Sequence, residues 1–220
     1  MVALAIPAIT QSALSTATTQ RRVEPLENEL ANAAFHGDIE RVSALLDKGV
    51  DKDATSPGRT PLLSATIYGR IPVIKLLLER GANPDIATHL KRTALIVAAH
   101  SSATWTPIVK LLLAYKANPD LFDQDGKTAL HYAAQNNFVA ITQELLKAKP
   151  NPFLEDKNYK TPLDYAKNNQ QQPINAYLHP RRTRDQAEKL LQKDLAEANT
   201  IVQALEEYQE KYKQKHRTGL

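Results

Sequence analysis

The chain of 220 residues contains no cysteine, only 7 glycines and a single tryptophan. Without cysteine, a disulfide framework, thiol catalysis and a thiolate metal site are all excluded. No stretch approaches the roughly 20 consecutive apolar residues that cross a bilayer, so we expect no membrane span. The formal net charge of +4 is small and both signs are mixed along the chain, so we expect no nucleic-acid partner.

Sequence motifs for catalysis are also absent. The chain has no phosphate-binding loop, no G-x-S-x-G nucleophile motif and no dinucleotide-binding fingerprint. None of the six histidines is paired with a carboxylate at the spacing of metalloprotease helices. We therefore expect a protein that is not an enzyme and that carries no cofactor and no metal.

The chain opens with an apolar segment, MVALAIPAIT, followed by polar residues. This segment lacks the basic start of a secretory signal peptide and contains Pro7. We expect residues 1–25 to form a flexible or loosely packed tail.

The main feature of the sequence is an internal repeat. Four segments begin with a threonine at intervals of 33, 35 and 33 residues: TPLLSATIYG from Thr60, TALIVAAHSS from Thr93, TALHYAAQNN from Thr128 and TPLDYAKNNQ from Thr161. In each of them a leucine stands two residues after the threonine and an alanine five residues after it. A second apolar segment follows, such as VIKLLLERGANPD at 73–85, and an earlier unit at 30–53 lacks only the threonine.

Each unit has the signals of two short helices. Ala and Leu recur at helical spacing, and Thr60 followed by Pro61 is typical of a helix start, because the hydroxyl caps free amides. Gly49 and Gly81 suit the left-handed residue that ends a helix. One such helix pair cannot bury its apolar face alone, so the repetition predicts a stacked solenoid.

These segments resemble the ankyrin repeat, with the pattern G-x-T-P-L-H-x-A-A-x-x-G, then I-V-x-L-L-L, then G-A-N/D, over about residues 26–180. The resemblance implies an all-α ankyrin-repeat solenoid of helix-turn-helix units with short hairpin-like loops. The five units span about 26–56, 57–89, 90–124, 125–157 and 158–180. Lys91 and Tyr159 replace the glycine before the threonine, and Lys116 and Lys149 replace the helix-ending glycine. We expect those turns to be less regular.

The resemblance also implies a non-catalytic module that binds a protein partner on the concave surface of the stack. It places contact positions seven and eight residues after each threonine, and it gives His131 a structural role between loops. Tyr132 and Tyr165 either add ring edges to this surface or fill the core. Trp105, in a two-residue insertion, either anchors a partner or folds back. The candidate binding residues are Arg59, Ile67, Tyr68, Arg92, His100, Ser101, Trp105, Lys127, Tyr132, Gln135, Asn136, Lys160, Tyr165 and Asn168.

Four of these candidates are the basic residues that directly precede the threonines: Arg59, Arg92, Lys127 and Lys160. They are expected to align as a row along the turns. Such a row either favours an acidic partner or is a solvated edge.

Residues 181–220 are expected to form a long amphipathic helix, because helix formers dominate and proline is absent after Pro180. Its apolar seam runs through Leu191, Leu195, Ala198, Val202 and Leu205 at steps of 4, 3, 4 and 3, with Tyr212 beyond. The helix is expected to dock in cis on the fifth unit, around Ile174 and Leu178. The alternatives are pairing with a second chain or with a partner helix.

Two alternatives to an adaptor that acts in the cytoplasm remain open. The Glu-rich LEEYQE with its short basic end resembles the translocation signals of type IV secretion effectors from intracellular bacteria. That resemblance implies an effector that is secreted into a host cell and binds a host protein. The other alternative is a regulatory or inhibitory subunit of an enzyme.

Overall fold

The computed structural model describes residues 26–55, 58–171 and 184–217. The expected tail at 1–25, and the docking residues Ile174 and Leu178, lie outside these ranges. Within them, all regular structure is helical apart from one isolated antiparallel bridge between Phe122 and Thr128. None of the helices in this part of the chain is long and apolar enough to cross a membrane.

The helices follow one another in pairs along the chain. Their bounds are α1 Leu26–His36, α2 Ile39–Asp47, α3 Pro61–Ile67, α4 Ile71–Glu79, α5 Ala94–Ser101, α6 Thr106–Ala114, α7 Ala129–Gln135, α8 Val139–Lys147, α9 Pro162–Asn169 and α10 Arg184–Arg217. A short 3-10 turn at Ala103–Trp105 precedes α6. The predicted alternation of turn, helix, tight loop and helix is confirmed.

The pairs stack in two layers, which confirms the predicted solenoid. The first helices α1, α3, α5, α7 and α9 pack side by side, and α2, α4, α6 and α8 form the second layer. The recurring alanines of the first helices, Ala65, Ala98, Ala133 and Ala166, have no exposed surface. A methyl side chain at this position lets neighbouring backbones approach, while larger residues fill the space between the layers.

The recurring threonines start the first helices. Each of them is an N-cap residue in extended backbone geometry. Each hydroxyl oxygen accepts a hydrogen bond from the backbone N–H three residues later, at 3.1 to 3.4 Å. The bond satisfies an amide that would otherwise lack a partner at the helix end. In α7 and α9 the side chains of His131 and Asp164 complete a capping box by bonding back to the cap.

The turns that lack glycine are as regular as the turns that have it, so the expectation of irregularity was wrong. Lys116 and Lys149 have φ values of 66° and 60°, in the left-handed region that Gly49 and Gly81 also occupy. In all four, the backbone N–H donates to the carbonyl three residues earlier, at 2.9 to 3.1 Å. The helix-ending hydrogen bonds hold the backbone in this conformation, so the lysines bear a local steric cost.

The same holds for the turns before the threonines. Lys91 and Tyr159 have φ values of 56° and 57°, close to the conformation of Gly58 and Gly126. At Gly126 an added Cβ would lie 3.1 Å from the backbone of Asp156 in the next unit, a close contact that the neighbouring turn would have to relieve. Glycine is therefore favoured at this position, although lysine and tyrosine adopt a similar conformation at Lys91 and Tyr159.

Backbone-to-carboxylate bonds join the helix-ending turns of consecutive units. In each case an aspartate Oδ1 accepts the backbone N–H of the asparagine that occupies a corresponding position in the next unit, at 2.8 to 2.9 Å. The pairs are Asn83 to Asp53, Asn118 to Asp85 and Asn151 to Asp120. We call this series the aspartate ladder. Because charged acceptors make strong hydrogen bonds, the ladder fixes the register of the stack.

The long helix α10 packs against α8 and α9. Ala198, Ile201, Val202 and Leu205 are buried, and the last three belong to the same apolar cluster as the core of the repeats. Leu191 and Leu195, nearer the start of the seam, are only half-buried. The packing is therefore concentrated in the middle of the helix.

Polar contacts also link α10 to the repeats. Asn137 donates from Nδ2 to the carbonyl of Asp194 at 2.9 Å. The Tyr208 hydroxyl donates to the carbonyl of Pro150 at 2.9 Å, and Gln209 donates to that of Pro152 at 3.3 Å. These two carbonyls belong to the turn that carries the last asparagine of the aspartate ladder, so α10 follows directly on the ladder.

Replacing Lys116 with glycine is expected to stabilise the protein by about 1 kcal/mol, because it removes the steric cost of a left-handed side chain. The measurement is the free energy of unfolding from a urea titration. The control is Lys75→Gly, in the exposed middle of α4, which is expected to lose about 1 kcal/mol. A Lys116→Gly variant that loses as much as the control would contradict the account of these turns.

Candidate protein-binding surface

A groove of about 340 Å³ lies between the second and third units. Its apolar lining includes Ile67, Leu90 and Val97, and Leu90 is 39% exposed. The polar lining includes two arginines and two histidines, and none of the described residues that line the groove is a carboxylate. The complete set is Gly58, Arg59, Ile67, Thr88, His89, Leu90, Arg92, Ile96, Val97, His100 and Ser101.

Five of the candidate binding residues come together in this groove: Arg59, Ile67, Arg92, His100 and Ser101. Ile67 and Ser101 are the last residues of α3 and α5, and the arginines precede the threonine caps of the same helices. The groove therefore forms because the two units repeat the same helix start and helix end side by side.

Tyr68 directly follows the groove residue Ile67, at the end of α3. Its ring is 4.1 Å from the ring of Phe35, measured between centroids, and the residue is 42% exposed. The tilted contact, with 57° between the ring planes, restrains the Tyr68 ring while part of its surface remains accessible. Rigid, half-exposed tyrosines are common anchors in protein interfaces.

The four basic residues before the threonine caps form what we call the basic row, and three of them, Arg92, Lys127 and Lys160, lie near tyrosine rings. The Arg92 guanidinium carbon is 5.9 Å from the ring centroid of Tyr132. Lys127 Nζ is 4.4 Å from the ring centroid of Tyr165 and donates to Gln135 Oε1 at 2.7 Å. These contacts limit the motion of long cationic side chains. Gln135, itself a candidate residue, therefore positions Lys127.

Carboxylates neutralise only part of the row. Arg92 Nε is 3.6 Å from Asp123 Oδ2. Within the described ranges, Arg59, Lys127 and Lys160 form no ion pair with a carboxylate. Three charges of the row therefore remain available to a ligand.

Tyr132 is a core residue with 5% of its surface exposed, so of the two roles considered for it the structure favours filling the core. Its hydroxyl donates to Asp123 Oδ2 at 2.6 Å. Tyr165 is half-buried, and its hydroxyl donates to Asp156 Oδ2 at 2.5 Å. Burial and the bond to Asp156 together raise the pKa of Tyr165 to about 12. Both hydroxyls therefore act as neutral donors at physiological pH.

Asp123 and Asp156 anchor the turns that carry the basic row, and sequence reasoning missed them. Asp123 Oδ1 accepts the backbone N–H of Lys127 at 3.1 Å, and Asp156 Oδ1 accepts that of Lys160 at the same distance. Burial works to raise the pKa of Asp156, but the hydrogen bonds from Tyr165 and from backbone N–H groups lower it overall. The repeated D-x-(D/N)-x-K-T at 123–128 and 156–161 was the available signal.

Trp105 lies in the 3-10 turn before α6 and is half-buried against the core. Its indole carbons lie 3.6 Å from the position of a Cβ built on Gly69. The ring therefore covers the loop of the preceding unit. Of the two roles considered for Trp105, this position favours folding back over the insertion.

The remaining polar candidates differ in their accessibility. Asn136 is half-buried and donates from Nδ2 to the carbonyl of His100 at 3.1 Å, so it joins two units. Asn168 is exposed, and its neighbour Asn169 makes the corresponding bond to the carbonyl of Ala134 at 2.9 Å. Part of this polar surface thus holds the stack together.

His131 is completely buried in α7 and has the structural role that the resemblance implied. The backbone N–H of Thr128 donates to its Nδ1 at 3.1 Å. That nitrogen is therefore unprotonated, and Nε2 carries the hydrogen and donates to the carbonyl of Lys160 at 3.1 Å. Burial lowers the pKa of His131, and the ring is neutral at physiological pH.

His100 stands between the groove and the basic row. Its ring centroid is 4.7 Å from that of Tyr132. Burial is the largest of the causes that lower the pKa of His100. The positive charges of Arg92 and Lys127 also lower it, and the charge of Asp123 opposes them. Cations therefore dominate the local electrostatic field. Among the described residues, no cluster of three or more histidine or acidic side chains has the geometry to hold a metal.

Comparison with known protein families identifies the repeats that carry this surface. A family model described as ankyrin repeats (3 copies) matches residues 23–88 and again residues 95–185, together more than half of the chain. No curated protein matches the chain.

Acidification is expected to destabilise the protein through His131. Because burial lowers the pKa of His131 in the folded state, the unfolded chain binds the proton more readily. Stability is therefore full above the ordinary histidine pKa of about 6.5 and falls below it, by at most about 1.4 kcal/mol per pH unit. Urea titrations between pH 7.5 and 5.5 measure this slope.

The substitution His131→Gln is expected to flatten the slope, since glutamine keeps a donor and an acceptor but does not titrate. The control is His216→Gln, at the exposed end of α10, which should keep the slope of the unmodified chain. Equal slopes in the His131→Gln variant and the unmodified chain would show that another group carries the pH dependence.

Proposed function

Because the chain belongs to the ankyrin repeat family, whose members are generally protein–protein interaction modules, we propose that it is a non-catalytic adaptor. Its protein partner lies on the concave surface of the stack and crosses the groove between the second and third units. The observation that supports this site is the convergence of five candidate binding residues in one apolar groove with a cationic rim.

The mechanism is rigid presentation of a preformed surface. Threonine caps, the aspartate ladder and inter-unit bonds such as Asn136 to His100 hold the contact residues before a partner arrives. A partner that binds such a surface loses little additional conformational entropy from the adaptor. A few anchors, with Tyr68 and Ile67 foremost, then supply most of the affinity.

A randomised peptide library displayed on phage, selected against the immobilised full chain, tests this function. Recovered peptides are then measured by fluorescence anisotropy against the double variant Tyr68→Ala/His100→Ala. We expect a loss of affinity of about tenfold or more, because two partly exposed rings beside the groove are removed. The melting temperature is expected to change by only a few degrees, since both residues are exposed.

The control is Tyr115→Ala, an exposed tyrosine that caps the end of α6 in the second layer. It should leave the affinity for the same peptides within about twofold, which corresponds to a few tenths of a kcal/mol. A selection that yields no peptide sensitive to the groove substitutions would contradict the proposed function.

We further propose that α10 acts in solution as the cap of the stack, in cis. The buried middle of the helix and its bonds to the carbonyls of Pro150 and Pro152 support this role. Solenoids need such a cover because the last unit has no successor to bury its apolar face.

The substitution Leu205→Ala is expected to cost about 2 to 4 kcal/mol of stability, since this side chain of α10 is fully buried against the repeats. Leu191→Ala, in the half-buried start of the same seam, should cost less. Urea titration measures both variants, and sedimentation measures the oligomeric state. A stability that rises with protein concentration would instead indicate pairing in trans.

A further inference from the structure

The groove combines two chemical properties that one ligand must match. Its apolar lining includes Ile67, Leu90 and Val97, while Arg59 and Arg92 supply positive charge. In the described part of the chain, no carboxylate lines it. A cavity near the lower end of the usual 300 to 1,000 Å³ for ligand pockets accommodates an apolar side chain or two, but not a whole helix.

The positive charge continues beyond the groove along the stack. Lys127 and Lys160 occupy the corresponding positions in the next two units, and neither pairs with a carboxylate in the described ranges. Lys127 is held over Tyr165 and by Gln135, so its charge keeps a fixed place. Arg92 and Lys127 both lower the pKa of His100, as positive charges beside a histidine do.

The spacing of the basic row sets the spacing of complementary charges. Packed helices lie about 8 to 10 Å apart, and a chain in the extended polyproline II conformation advances about 3.1 Å per residue with three residues per turn. One step of the row therefore corresponds to about three residues of such a peptide, and side chains three residues apart project from the same side of it. The backbone of a nucleic acid offers phosphate charges but no aliphatic side chain that could enter the groove. The apolar lining of the groove therefore favours a peptide over a nucleic acid as the ligand.

We propose that the ligand of this surface is an extended acidic peptide. One large apolar side chain occupies the groove, and carboxylates at about every third residue of a polyproline II chain lie along the basic row, where they pair with Arg59, Lys127 and Lys160 and pass Arg92, which already contacts Asp123. This inference rests on the proposed function and specifies the chemistry of the partner.

The test uses a labelled synthetic peptide with glutamate at every third position and leucine at the residue next to a central glutamate. Its matched counterpart has glutamine in place of every glutamate. Fluorescence anisotropy with the full chain measures both at low and high salt. We expect the acidic peptide to bind at least about tenfold more tightly and to weaken with salt, because exposed charge pairs are screened.

Single substitutions locate the charges. Lys127→Gln and Arg59→Gln are each expected to weaken the acidic peptide by about two- to fivefold, the usual range for an accessible ion pair. The control is Lys75→Gln, on the exposed side of α4, which should leave the affinity unchanged. Neither row residue forms an ion pair in the described part of the chain, so both variants are expected to fold normally.

Three outcomes would overturn the inference. Equal binding of the glutamine peptide would show that charge is not recognised. Stronger binding of a single-stranded oligothymidylate than of the acidic peptide would identify a nucleic acid as the ligand. If both peptides fail while the displayed library yields groove-dependent binders, the ligand chemistry is wrong but the binding function stands. If the library also fails, the proposed function itself is wrong.

Discussion

The whole structure depends on one constraint, which is that no helix pair can bury its apolar face without a neighbour. The fully buried alanines at the same position of α3, α5, α7 and α9 show how this constraint is met, since they let adjacent backbones approach closely. The surface features therefore recur at the spacing of the stacked units. The groove, the basic row and the aspartate ladder are each produced by repeating one local arrangement at the spacing of the stack.

The features that depend on short-range chemistry were predictable from the sequence. The threonine caps follow from the hydroxyl and the amide three residues later, and the helix pairs follow from apolar spacing. The turns at Lys116 and Lys149 were misjudged because residue preference was weighed without the helix-ending hydrogen bonds, which hold the backbone in the left-handed conformation whichever residue is present. The groove residues Leu90 and His89 could not be identified, because they line it only when they are brought beside Gly58 and Arg59, which lie 30 to 32 residues earlier in the chain.

Several candidate binding residues proved to have structural contacts as well. Tyr132 fills the core, Trp105 covers the loop at Gly69, and Asn136 joins two units. In the Glu-rich segment of α10, Glu206 pairs with Lys167 at 2.8 Å, and Gln209 bonds to the turn at Pro152. In repeat proteins the same kinds of residue serve both the inter-unit contact and the outer surface, and only the three-dimensional arrangement separates the two.

The bonds from Tyr208 and Gln209 have a consequence for the evolution of the chain's length. They occupy the carbonyls of the turn against which the matching turn of an additional unit would have to stack. Duplication of a unit in the middle of the array preserves this arrangement, whereas addition after the last turn requires α10 to be displaced.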